Sequence, residues 1–163
     1  MSNTITLDSK IYIAGHRGMV GSACQRALEA KGYKNIIGFS SKELDLRDQR
    51  AIFEMIEREK PEAIIDAAAK VGGILANSTQ PYEFLMDNML IQNNLIKAAH
   101  ELNIKKFIFL GSSCIYPKMA PQPLKEEYLL TGPLEETNQW YAIAKISGVK
   151  LIEALRDQYN RDY

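Results

Sequence analysis

Residues 10–28 read KIYIAGHRGMVGSACQRAL: an apolar run, then a glycine-spaced turn, then a helix-period pattern. No other stretch restricts the fold as much. Gly15, Gly18 and Gly21 recur at every third position directly after the apolar run. Gly15 permits a turn that a side chain would block. Gly18 lets the backbone come close to a pyrophosphate, whose charge meets free N–H groups at the start of the following helix. Gly21, already on that helix, is expected to allow close packing on the sheet. Arg17, between the glycines, is a candidate phosphate partner, and His16 serves equally as a simple lining of the turn. The spacing differs from G-x-G-x-x-G, so the triplet takes its meaning from its place between strand and helix. A purely structural turn is the alternative.

The rest of the chain repeats the alternation of strand and helix. Strands are expected at 10–14, 34–39, about 62–67 and 105–110, and helices at 20–31, over LRDQRAIFEMIEREK, at 81–101 and at 138–160. Val20, Ala23, Ala27 and Leu28 are the expected core face of the first helix. Asp48 and Pro61 bracket the second helix, and Pro81 takes a favoured first-turn position in the third. The strands are continuous apolar runs, as in a parallel sheet covered on both faces. The expected fold class is α/β, a Rossmann-type doubly wound parallel sheet with strand order 3-2-1-4. Such sheets commonly run to about six strands, whereas this sequence stops after the fourth crossover helix. The expectation is therefore that residues 1–163 are the N-terminal dinucleotide-binding domain of a longer protein, truncated after the Tyr-x-x-x-Lys helix, with a C-terminal substrate domain elsewhere. A complete small domain is the alternative.

Composition closes off other classes. The 163 residues are 46% apolar and 25% charged, with 20 basic against 20 acidic side chains. Nothing in this balance asks for nucleic acid. No run approaches the roughly 18 apolar residues of a membrane span. The polar start MSNTITLDSK argues against a signal peptide. Cys24 and Cys114 make no disulfide framework, which suits a reducing, cytoplasmic setting. Two separated cysteines and two separated histidines offer no metal cluster.

The end of the second strand reads FSSKELDL, without the acidic residue that usually holds the ribose of NAD. Ser40, Ser41 and Lys42 suit a 2'-phosphate and hence NADP. Glu43 could take the ribose role instead, and Lys42 could equally be a solvated lysine. Asp45 and Leu46 are placed to reach the adenine, with Asp45 as acceptor. The small residues of DAAAK suit a backbone passing close to the cofactor.

The helix-borne YAIAK puts Tyr141 and Lys145 one turn apart on one face. An ammonium beside a phenol favours the phenolate, so Tyr141 is expected to exchange a proton near neutral pH. Ser112 and Ser113 follow the fourth strand, at the end where parallel sheets bind ligands. Ser112 is favoured to hold a carbonyl, and a plain turn hydroxyl is the alternative for Ser113. Cys114 is either a carbon base with a lowered pKa or an inert buried thiol.

IAGHRGMVGSA, AAAKVGGILAN, FLGSSCIYPK and YAIAK together resemble the GDP-L-fucose synthase group of the extended short-chain dehydrogenase/reductase family, from about Lys10 to the end of the chain. The resemblance implies NADPH as hydride donor, with Gly15, His16, Arg17, Gly18, Met19, Val20 and Gly21 around its pyrophosphate. It implies Ser41, Lys42, Glu43, Leu44, Asp45 and Leu46 at the adenosine end and Leu110, Gly111, Ser112 and Ser113 near the nicotinamide, while Ala67, Ala68 and Ala69 pass beside the cofactor. It makes Tyr141 the proton donor for reduction at C4 of a GDP-sugar, assisted by Lys145 and Ser112. Cys114 becomes the base for epimerisation at C3 and C5. The family's second proton-transfer group is a histidine beyond the Tyr-x-x-x-Lys helix, and no histidine follows His100 here. These residues alone are expected not to complete the reaction. The resemblance also implies a homodimer through helices 81–101 and 138–160. Dehydratases of the family would show Asp-Glu where this chain has Cys114 and Ile115. The rivals are such a related nucleotide-sugar enzyme and a non-catalytic dinucleotide-binding module.

Overall fold

A computed structural model describes residues 4–163; residues 1–3, the start of the polar N-terminus, lie outside the described residues. Strand β1 (Ile11–Ala14) leads into helix α1 (Met19–Ala30), β2 (Ile36–Ile37), α2 (Gln49–Glu59) and β3 (Ala63–Asp66). Helices α3 (Ile74–Thr79) and α4 (Pro81–Glu101), strand β4 (Lys106–Phe109) and helix α5 (Gln139–Tyr159) follow. The sheet is parallel throughout, in the order β2-β1-β3-β4.

That order corrects the expected 3-2-1-4. β3 returns across β1 and pairs with it from Ile11 beside Ala63 to Ala14 beside Asp66. The physical reason lies in burial: all four residues of AIID are buried, so the strand needs a neighbour on each side, and β1 and β4 supply them. The reversal of direction at β1 places a switch point between the carboxyl ends of β1 and β3, where doubly wound sheets open a crevice.

Burial on two faces explains the unbroken apolar strands. Ile11, Ile13, Ala63 and Ile65 pack towards α1, against Cys24 and Leu28. Tyr12, Ala14, Ile64 and Phe107 meet α2, α4 and α5 through Ile52, Met55, Ile56, Leu95, Ile96 and Ile152. Helix α1 is rotated from its expected face. Gly21, Cys24 and Leu28 turn inward, while Val20, Ala23 and Ala27 are exposed. In α5, Ala144, Gly148, Ile152 and Leu155 are buried, while Leu151 is exposed.

Local signals set most boundaries. The Asp48 carboxylate caps α2 by accepting from Ala51 N–H at 3.1 Å. Lys60 closes the helix in the left-handed region at φ 50°, just before Pro61. Two expectations fail locally. β2 keeps only two residues of the six expected, and α3 was not foreseen. Among the described residues, no helix is long and apolar enough to cross a membrane.

Candidate active site

The glycine turn is packed backbone on backbone. Gly15 has φ +77°, and a Cβ there would lie 2.8 Å from the Ala67 carbonyl oxygen. A Cβ on Gly21 would lie 2.2 Å from the Gly15 carbonyl oxygen. Gly21 is therefore needed for contact with the turn itself, not with the sheet as expected. This contact also fixes the rotation of α1. Gly18 caps the helix without a side-chain hydrogen bond, and the first turn holds no acidic residue. The opening N–H groups thus form a site for negative charge.

A cleft of about 510 Å3 extends from this turn. Gly15, Gly18, Met19 and Val20 form one wall, Ser41, Leu44, Asp45 and Leu46 another, and Ala67, Ala68 and Ala69 the floor. Twelve expected cofactor residues do not line it: His16, Arg17, Gly21, Ser40, Lys42 and Glu43 around the turn and the end of β2, and Leu110, Gly111, Ser112, Ser113, Tyr141 and Lys145 at the expected nicotinamide end. His16 packs on Gly38, where a Cβ would meet its ring at 2.3 Å. Arg17 and Lys42 are exposed. Glu43 accepts from Ser40 N–H at 2.7 Å and Ser40 Oγ at 2.6 Å, so both side chains are engaged in their own turn. Those bonds hold the Glu43 carboxyl below its usual range, helped by Arg17 and His16. Asp45 lines the cleft, but its carboxylate is held by Arg47, through Nε at 3.0 Å and a terminal nitrogen at 2.8 Å.

The second cluster lies past β4. Ser112 begins a 3-10 turn over Ser113–Ile115, and its Oγ is 3.2 Å from Cys114 Sγ. Leu110 is half-buried and Gly111 and Ser113 are exposed. Lys145 is 3% exposed. Its Nζ donates to the Leu110 carbonyl at 2.9 Å and stands 4.5 Å from the centre of the Phe109 ring. Burial lowers the Lys145 pKa, with Asp66 and Cys114 opposing. The Tyr141 pKa is raised by burial and then by Cys114, against a hydrogen bond with Ser112. This direction corrects the expected one: in this arrangement the ammonium serves Leu110, and the phenol keeps its proton at neutral pH.

Asp66 links the two clusters. It ends β3, beside Ala14 of β1 and Phe109 of β4, and is fully buried. Its Oδ1 accepts from Ala68 N–H at 3.1 Å, directly behind the alanine floor of the cleft. Its charge acts on both Lys145 and Tyr141. The glycine turn, the alanine floor and the Tyr141–Lys145 helix thus meet at the carboxyl ends of adjacent strands.

The profile of the NAD dependent epimerase/dehydratase family matches residues 11–163. The chain belongs to that family. It is 53% identical over 154 residues to the putative GDP-L-fucose synthase 2 of Arabidopsis thaliana, covering 94% of this chain and 47% of that protein. It is 52% identical over 154 residues to the GDP-L-fucose synthase of Escherichia coli (strain K12), covering 94% and 48%. The crystal structure of a GDP-D-glycero-L-gluco-heptose synthase from Campylobacter jejuni in the presence of NADPH superposes with a TM-score of 0.93 at 39% identity, covering 97% of this chain and 46% of that one. The chain spans about half the length of the curated relatives it matches.

In this member of the family, helix α4 holds the cleft walls through buried amides that the sequence reading did not single out. Asn88 binds both backbone groups of Lys70, accepting from its N–H at 2.8 Å and donating to its carbonyl at 3.0 Å. Asn94 donates to the carbonyls of Leu46 and Arg47 at 3.2 and 3.0 Å. Gln92 donates to the Ala144 carbonyl of α5 at 2.6 Å. The available signal was three amides on the otherwise apolar inward face of the helix. Arg47, Lys70 and Asp87 also line the cleft unforeseen, with Asp87 bridging Arg47 at 3.6 Å and Lys70 at 3.4 Å.

Proposed function

We propose that this chain is the dinucleotide-binding part of an NADP-dependent enzyme. The enzyme epimerises GDP-4-keto-6-deoxy-D-mannose at C3 and C5 and reduces it at C4, giving GDP-L-fucose. The observation that carries this reading is the joint placement of Ser112, Cys114 and Tyr141 past the carboxyl end of β4, in a chain 52% identical to a GDP-L-fucose synthase.

The residues fit a dinucleotide. Gly15 and Gly21 keep open a cradle that a Cβ would fill, and the uncapped start of α1 faces it. Gly18 to Gly21 would hold the pyrophosphate, Ser41 to Leu46 the adenosine end, and Lys145 the nicotinamide ribose. Bound NADPH supplies the hydride that C4 receives. Ser112 Oγ holds the C4 carbonyl oxygen. Tyr141, with its pKa raised, carries the proton that this oxygen takes up. Cys114 removes the proton from C3 and then C5, both acidified by the neighbouring ketone.

The remaining sugar and guanosine contacts, and the second proton-transfer group, fall to a C-terminal substrate domain. The twofold length of the relatives supports this division. We place a homodimer contact on α4 and α5, where Met86, Leu90, Ile143 and Leu151 are apolar and exposed. A cytoplasmic location suits the free thiol of Cys114.

The test is turnover by the full-length protein with GDP-4-keto-6-deoxy-D-mannose and NADPH. The expected result is NADPH oxidation coupled to GDP-L-fucose formation. No oxidation, or a product reduced at C4 without inversion at C3 and C5, overturns the proposal.

A further inference from the structure

We infer that Arg47, clamped between Asp45 and Asp87, is the platform on which the adenine ring of the cofactor stacks. The inference rests on the dinucleotide reading above and adds to it a residue that recognises the base.

Arg47 directly follows the adenosine wall of the cleft and lines the cleft with it. Its guanidinium is gripped along its edges from two sides. Nε and one terminal nitrogen donate to the two oxygens of Asp45 at 3.0 and 2.8 Å, a fork-on-fork pair. The other terminal nitrogen stands 3.6 Å from a carboxylate oxygen of Asp87, on helix α4. The backbone is fixed as well: Arg47 N–H donates to Asp45 at 3.0 Å, and Asn94 donates to the Arg47 carbonyl at 3.0 Å. The side chain is still 50% exposed. With its edges engaged, what it offers the cleft is a flat, preorganised face.

Charge and surroundings select the part of the ligand that meets this face. Asp87 also stands 3.4 Å from Lys70, so two acids and two bases, Asp45 and Asp87 with Arg47 and Lys70, balance across this wall. A phosphate gains little from a set without net charge. A neutral aromatic ring needs no charge, because a guanidinium stacks on it through its plane. The neighbouring cleft surface is apolar: Leu46 precedes Arg47, Ile91 lies one turn beyond Asp87 on α4, and both line the cleft with Phe39 and Leu44. Adenine is the flat, uncharged, aromatic part of the dinucleotide at this end. Asp45, expected to accept from the adenine amino group, already accepts three hydrogen bonds from Arg47. Those bonds hold its carboxyl below the usual range, which keeps the pair charged at neutral pH. Asp45 and Asp87 are then positioning residues, and Arg47 is the group that touches the base.

The experiment measures Kd for NADPH and for NADH by fluorescence titration of the full-length protein, in wild type, Arg47→Lys and Asp87→Asn. Lysine keeps the charge and loses the plane. R47K should weaken both cofactors by the same factor, about fivefold or more, because adenine is common to both. D87N should weaken both equally and by less, since Asp45 still holds the fork. A spectroscopic signature separates stacking from mere support of the loop. In 15N-arginine-labelled wild type, the Arg47 Hε signal should move upfield under the adenine ring current as NADPH binds. Reduced nicotinamide mononucleotide, which has no adenine, should leave it in place. Loss confined to NADPH would make Arg47 a ligand of the 2'-phosphate and overturn the inference. Unchanged Kd values in R47K, or no upfield movement at saturation, overturn it equally. A wild type that binds neither cofactor removes the dinucleotide reading and the platform together, whereas a wild type that binds both while R47K matches it removes the platform alone.

Discussion

Gly148 of α5 faces the ring of Phe109 so closely that a Cβ on it would lie 2.5 Å from Cζ. The same ring carries Lys145 Nζ on its face at 4.5 Å. Core packing and site geometry are therefore one relationship here. Gly148→Ala must displace Phe109, Gln92 or the helix, at a cost of about 1–3 kcal/mol. The lysine moves with the ring. The expected outcome is a lower urea midpoint together with weaker NADPH binding, measured by equilibrium unfolding and by fluorescence titration of the full-length protein.

The glycine turn makes a sharper prediction. Gly21→Ala places carbon 2.2 Å from the Gly15 carbonyl oxygen and forces the start of α1 away from the turn. NADPH affinity is expected to fall about tenfold or more, since one displaced charge-assisted contact is worth roughly 1.5–3 kcal/mol. Gly73→Ala is the control, because a Cβ there meets nothing within 4 Å. It should bind NADPH as the wild type does.

The amides of α4 should act on the two ends of the cleft separately. Asn94→Ala leaves the carbonyls of Leu46 and Arg47 without this donor. A stability loss of about 1–3 kcal/mol is expected. The KM for NADPH should rise while kcat changes little, because the adenosine wall is far from the transferred hydride. A matching fall in kcat would speak against that division.

Asp66 gives a stability test independent of turnover. It keeps its proton up to about 6 in the fold but only to about 3.9 in an unfolded chain. Between those values the fold binds the extra proton, so this group's contribution to stability falls as pH rises. Across the window the loss approaches roughly 3 kcal/mol. Urea unfolding of wild type from pH 4 to 7 should show this decline, and Asp66→Asn should lack it.

Cys114 and Tyr141 should fail in different ways. Cys114→Ser is expected to stop inversion at C3 and C5 while leaving hydride delivery to the unepimerised ketone, read as NADPH oxidation with an altered product. Tyr141→Phe should depress reduction by about a hundredfold or more, the usual worth of a positioned acid. Solvent deuterium exchange at C3 and C5 should continue in Y141F.

How much of this was legible in the sequence depended on whether a signal was local. The glycine turn, the Asp48 cap, the Pro81 start of α4 and the Tyr141–Lys145 spacing are all short-range, and each element lies within a residue or two of its expected place. Strand order is not local. Nothing within AIID says which strand lies beside it, and the expected 3-2-1-4 gave way to β2-β1-β3-β4. The rotation of α1 escaped for a related reason: Val20, Ala23 and Ala27 match the helical period, but the contact of Gly21 with Gly15 sets the inward face. The phenol's upward direction and the weight of Asp66 required burial, which no residue string states. Ser40, Glu43 and Asp45 were read as ligand groups, yet their side chains are engaged with one another or with Arg47.

One titration decides whether the glycine turn and the Tyr141–Lys145 helix serve a single dinucleotide. Full-length protein labelled with 15N-glycine and 13C-tyrosine is titrated with NADPH. The signals of Gly15, Gly18 and Gly21 and that of Tyr141 should move together along one binding curve, and Lys145→Ala should weaken that curve for all four. Movement of the glycines with Tyr141 unchanged at saturation would place the phenol outside the cofactor's reach and end the reductase assignment.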